Sequence, residues 1–166
     1  MRALRRMEST LLDDFFTTEW LQSFHREIFR DIYPHAGEFR NESIRVAWHI
    51  PSAYTREAVE EEISQYMVDS KRRLALALLK PEAIPAMLGF AFWKLTYIAP
   101  FTDGNGRVAN GLVMLLQRRF DLPGLSLYNR FQTAEYSRFI GTLREYDTGS
   151  AANFFEYLRE KLGITA

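Results

Sequence analysis

Along most of the chain the apolar residues recur three and four positions apart, the period of a helix with one buried face. Within 18–33 they are Leu21, Phe24, Ile28 and Ile32. Thr17 or Thr18 can cap that helix, Glu19 suits its first turn, and Pro34 to Gly37 should end it. Helix resumes after Thr55, where Glu57, Glu60, Glu61 and Glu62 sit at the favourable end of the helix dipole. A short helix is expected over 70–80. Over 81–98, Ala86, Leu88, Phe90, Ala91, Phe92, Leu95 and Ile98 leave little polar face, which predicts a longer and mostly buried helix. Pro85 is tolerated there if it falls in the first turn. The 105–120 stretch turns Val108, Leu112, Leu115 and Leu116 inward, and Asp121 to Gly124 breaks it. Helices over 133–146 and 150–162 complete the set, the last with Ser150 as N-cap and Gly163 as C-cap.

One segment has a different period. Ile44, Val46, Trp48 and Ile50 alternate with Arg45, Ala47 and His49, a strand signature, and Pro51-Ser52 marks a turn. A lone short hairpin cannot build a sheet. The expected fold is therefore all-α, a helical bundle with one short β-hairpin at about 43–54. An exposed strand edge is a place where an extended peptide docks. No repeat, low-complexity tract or long linker interrupts the pattern. One domain over 18–166, preceded by an extension over 1–17, is the expected organisation.

Composition narrows the partners. Of 166 residues, 21 are Lys or Arg and 21 are Asp or Glu, so the formal charge is zero and nothing calls for a nucleic-acid partner. There is no cysteine, hence no disulfide framework and no thiolate metal site, which suits the cytosol. No apolar stretch approaches about 18 residues, so no membrane span is expected. The first residues mix arginine with acids and do not read as a cleaved signal. A cytoplasmic protein is expected; an address read by a specialised secretion system, delivering it into a host cell, would leave no trace in this pattern.

Candidate chemistry concentrates in 99–107, Ala-Pro-Phe-Thr-Asp-Gly-Asn-Gly-Arg, between two apolar helices. Pro100 stops the preceding helix. Gly104, Asn105 and Gly106 can turn their amides toward one spot at the start of the next helix, a nest for phosphate. Asp103 suits Mg2+, which takes one or two carboxylates plus phosphate oxygens. Arg107 reaches a second phosphate from the first helical turn. An ordinary Asp-Gly, Asn-Gly turn accounts for the same residues equally well on local chemistry alone.

The stretch resembles the Fic motif, His-x-Phe-x-Asp/Glu-Gly-Asn-Gly-Arg-x-x-Arg, with Phe101, Asp103, Gly104, Asn105, Gly106 and Arg107 in register. Phe24-His25 through Phe39-Arg40 is similar to that family's opening helix and its Ala-Gly-x-x-Arg turn, and 43–54 falls where the family has a target-binding flap. The resemblance implies a Fic-type helical bundle that moves AMP from ATP to a hydroxyl side chain of a target protein, some relatives transferring other phosphate-containing groups. It implies that Asp103 holds Mg2+, that the Gly104, Asn105 and Gly106 amides bind the α- and β-phosphates, that Arg107 stabilises the leaving pyrophosphate, and that Phe101 anchors the loop. Ile44, Arg45, Val46 and Trp48 would contact the target, and residues near 129–136 would border the adenine.

Two positions depart from the family pattern. Ala99 stands at the place of the catalytic histidine, the general base, and a methyl group cannot take a proton. His35 and His49 are the candidate substitutes, neither tied to the loop by spacing. Asn110 stands at the place of the final arginine, which puts the mode of γ-phosphate binding in question. Ala99 is either a change made to silence a toxic enzyme or the mark of a natural pseudoenzyme, for which a flap that holds a partner peptide is the alternative function. No Ser/Thr-x-x-x-Glu-Gly/Asn inhibitory helix is found near either end, and a separate inhibitory protein is a candidate partner that nothing in the sequence requires.

Overall fold

The computed structural model describes residues 16–129 and 131–164. Six α-helices run through them in the order α1 Thr18–Phe29, α2 Arg56–Leu79, α3 Ile84–Ile98, α4 Asn105–Arg119, α5 Thr133–Asp147 and α6 Ala152–Leu162, with a 3-10 turn at Pro81–Ala83. The expected extension over 1–17 lies outside the described residues except for Phe16, which is buried, and Thr17, which caps α1. None of the described helices is long and apolar enough to cross a membrane.

α3 is the axis of the bundle. Pro85, Met87, Leu88, Gly89, Phe90, Ala91, Phe92, Leu95, Thr96 and Ile98 are all buried, as its nearly continuous apolar sequence requires. α2, α4 and α6 pack around it, and α1 closes against α2 and α4. Thr17 accepts the Trp20 amide at 3.1 Å and Thr55 the Ala58 amide at 3.3 Å, so two helices begin where their hydroxyls permit. Gly163 ends α6 in the left-handed conformation.

Several boundaries differ from the sequence pattern. α1 stops at Phe29 rather than 33, because the 30–33 backbone folds back on Arg26 and Phe29 as turns. α2 is one helix of 24 residues, with no break before 70, since Ser70 is small enough to be buried inside it. Ser150 does not cap α6; its amide bonds back to Glu145 O and Ala151 takes the cap position.

The expected β-hairpin is absent: no strand occurs among the described residues. One backbone bond, Val46 N to His49 O at 3.1 Å, closes a reversal at Ala47-Trp48, and no ladder extends from it. Contacts from outside the segment hold it in place. Arg40 takes the carbonyls of Glu42 and Ala53, Arg144 reaches Ala47 O, and the His49 ring bonds Tyr97 O at 2.7 Å. Pro51 has no amide to offer. The alternation holds over 44–48, where Ile44, Val46 and Trp48 are half-buried and Arg45 and Ala47 exposed, and it fails beyond, where His49 is half-buried and Ile50 exposed.

Candidate active site

α3 ends at Ala99, whose φ of 47° is left-handed. Pro100 forbids further helix, and the chain turns through 101–104 into α4. Asn105 locks the turn: its side-chain oxygen accepts the Phe101 amide at 2.9 Å and its nitrogen donates to the Phe101 carbonyl at 2.7 Å. Gly104 must be glycine twice over. Its φ is 82°, and a Cβ there would lie 2.6 Å from the Phe29 ring.

His25, fully buried on α1, supports the loop from below. It stacks on Phe101 with centroids 3.8 Å apart. Its Nδ1 accepts the Gly37 amide at 2.9 Å, so the proton sits on Nε2, which donates to the Asp103 carbonyl at 3.1 Å. Burial, above all, lowers its pKa below the ordinary 6.5, with smaller lowering by His35 and Arg107 against raising by the Asp103 contacts. The neutral ring is therefore the folded form, and a second proton would set N–H against the Gly37 N–H. Stability should be intact above about pH 7 and fall as pH drops below 6.5 toward the lowered folded value, by at most about 1.4 kcal/mol per pH unit. Urea unfolding at neutral and mildly acid pH should show this loss, and His25→Gln, which cannot titrate, should flatten it.

The side chains named from the loop fall into three groups. Asp103 and Arg107 meet at the mouth of the loop. Asp103 Oδ1 accepts the Gly104 amide at 2.6 Å, and Oδ2 lies 3.4 Å from Arg107 Nη2. The Gly104 amide is thus engaged, and the first amide bonded back inside α4 is that of Val108, at 3.0 Å from Gly104 O. The open N-terminus of α4 consists of the Asn105, Gly106 and Arg107 amides. Asn110, one turn on, is turned to the 126–127 segment: it donates to Ser126 Oγ at 2.8 Å and accepts the Leu127 amide at 2.9 Å.

A cavity of about 210 Å³ joins this helix end to the 43–54 segment. Ile44, Arg45, Val46 and Trp48 form one wall, Asp103, Asn105 and Gly106 another, and Tyr128, Tyr136 and Phe139 an aromatic third. Among its described lining residues Asp103 is the sole carboxylate and none is a histidine. His49 lies outside it, stacked on Tyr97 at 4.4 Å, and His35 lies against Tyr33. Ala99 does not line it either; its methyl is fully covered. Arg107 and Asn110 open instead on a neighbouring hollow with Ser126, Asn129 and Phe131, and Tyr128 divides the two.

A family model described as Fic/DOC family matches residues 15–116, which includes the whole loop and both walls built from α1 to α4. The chain belongs to the Fic/DOC family. It is 28% identical over 137 residues to the protein adenylyltransferase Fic of Aedes aegypti, covering 81% of this chain and 26% of that one. Among solved structures it is similar to Fic-1 (residues 134–508) of C. elegans, with a TM-score of 0.73, 22% identity, and coverage of 96% of this chain and 46% of that one. It is also similar to the BepC protein of Bartonella tribocorum with bound AMPPNP, with a TM-score of 0.67, 15% identity, and coverage of 96% and 80%. The chain spans between a quarter and a third of the length of the curated Fic relatives it matches.

The opening helix and the Ala-Gly-x-x-Arg turn already single out His25 and Arg40, whereas no motif position marks Tyr33 or Tyr128 as part of this Fic site. Each arrives from a distant part of the chain.

Proposed function

We propose that this Fic domain is the nucleotide-transfer domain of a protein adenylyltransferase, moving AMP from ATP to a hydroxyl side chain of a target protein, and that Ala99 leaves it nearly silent. The observation that carries this is the cavity in which the open N-terminus of α4 and Asp103 face the 44–48 segment. Amides at a helix start favour phosphate. One exposed carboxylate beside them fits Mg2+ that arrives with a polyphosphate, since that cation takes few protein ligands.

In this reading the α- and β-phosphates lie against the Asn105, Gly106 and Arg107 amides. Asp103 holds Mg2+, which when bound offsets the charge of the phosphates. The target segment lies along 44–48, and Arg107 stabilises pyrophosphate as it departs. The target oxygen forms a bond to the α-phosphorus as the bond to the bridging oxygen breaks. The hydroxyl proton then needs an acceptor, and Ala99 stands where the family places a histidine for that task. Asn110, occupied by Ser126 and Leu127, gives the γ-phosphate no positive charge. The cytosol supplies ATP, Mg2+ and target together.

Calorimetric titration of the chain with ATP tests the binding half. Mg2+-dependent binding should be measurable despite Ala99, and both Asp103→Ala and Arg107→Ala should weaken it by about tenfold or more, the size of one charge-assisted contact. Equal binding by all three proteins would refute the site.

A further inference from the structure

We infer that Tyr33 is a positioning residue for the cation carboxylate, holding Asp103 aimed at the phosphates from outside the motif loop. The inference rests on the reading of Asp103 as the Mg2+ ligand and adds to it the residue that orients that ligand.

The Tyr33 hydroxyl lies 2.5 Å from Asp103 Oδ2 and 2.9 Å from Arg107 Nη2. A guanidinium only donates, so the phenol accepts from Arg107 and its single proton goes to the carboxylate. The Asp103 bond has the short length of a charge-assisted O–H···O− contact. The Gly104 amide on Oδ1 at 2.6 Å and the Tyr33 phenol on Oδ2 hold the two carboxylate oxygens from opposite ends, and the plane of the group is set. The direct Asp103–Arg107 pair does less. It is 3.4 Å long, both side chains are about half exposed, and such pairs contribute little.

The ring that carries this hydroxyl is fixed independently of it. It stacks between Phe29, at 5.2 Å, and His35, at 5.7 Å with planes 9° apart. The Tyr33 amide bonds Phe29 O at 2.8 Å in the turn that follows α1. Arg107 lies over the same Phe29 ring at 4.4 Å. When Arg107 leaves for a phosphate, the phenol keeps its proton on Asp103. Groups that hold a metal ligand from behind typically change metal affinity by about 10–100-fold when lost.

Tyr33→Phe removes the hydroxyl and keeps the stack. Mg2+ should be titrated into each protein with ATP, beside an ATP titration in EDTA. The expected result is a Mg2+ midpoint raised about 10–100-fold, with the melting temperature and the cation-free ATP affinity unchanged. An unmoved midpoint overturns the inference, as does an equal loss of affinity in EDTA, which would make Tyr33 a support for Arg107 or for the fold. Asp103→Ala separates the two levels. If it abolishes the Mg2+ dependence while Tyr33→Phe leaves the midpoint alone, the positioning role alone fails. If Asp103→Ala also leaves the dependence intact, the cation is not at Asp103 and the inference falls with the reading beneath it.

Discussion

Ala99→His is expected to raise transfer of α-phosphate label from ATP to protein by about 10²–10⁴-fold, the usual contribution of a positioned general base. The backbone is already prepared for it. Ala99 sits at φ 47°, a region in which histidine is more at home than alanine. Its carbonyl is held by Arg40 at 2.7 Å and its amide by Leu95 O at 2.9 Å, bonds that do not depend on the side chain. The cavity supplies no other base, since His49 lies outside it and Asp103, its sole carboxylate among the described lining residues, is the residue proposed to hold the cation. A neutral imidazole would accept the target proton as the α-phosphorus is attacked. Ala99→Gln controls for bulk: it fills similar space without a base and should stay silent. The measurement is label incorporation into a lysate and into the chain itself, with Mg2+. If the histidine variant binds ATP and still transfers nothing, the missing base is not the block and the transferase reading fails.

The sequence discloses what is local. Helix spacing, the cap at Thr17 and the glycines of the loop depend on neighbours a few residues away, and these appear in the fold where the pattern puts them. The 44–48 alternation correctly separates inward from outward side chains. It mistakes their backbone for a strand because a strand is defined by a partner, and here the partners are the nearby His49 carbonyl and the Arg144 side chain. Ser70 and Ser150 mislead in the same way: a serine inside a helix and a serine before one read alike until burial is known. The site itself is half visible. Asp103, the α4 amides and Arg107 lie within one short stretch. Tyr33 reaches them from 70 positions away and His25 from 78, so no single stretch contains them all.

Arg40 shows how much of the site hangs on such a contact, and Arg40→Met should be the most damaging single change for stability. The side chain is 2% exposed, with a guanidinium pKa lowered first by burial and raised in part by Glu62 and Glu42. It spends its donors on carbonyls: Ala99 through Nε, Ile98 through Nη2 at 3.0 Å, and Glu42 and Ala53 through Nη1 at 2.6 and 2.5 Å. Its own amide adds Pro100 O at 2.9 Å. One cation thus fastens both ends of the 43–54 segment to the end of α3. Methionine keeps the volume and strands the carbonyls, each worth about 1–3 kcal/mol when left unmet. After the arginine's own desolvation is regained, a net loss of about 3 kcal/mol is expected from urea unfolding, a large share of a domain's stability. Lysine should fall between, since three donors on one nitrogen cannot span both sides of the fork. In the Ala99→His background, Arg40→Lys should lower label transfer more than ATP binding. In the proposed reading the phosphates lie against the α4 amides, whereas the base and the target segment would depend on Arg40 for their mutual position. A loss below about 1 kcal/mol for Arg40→Met, with transfer intact, would mean that the carbonyls find other partners and that the segment is positioned without it.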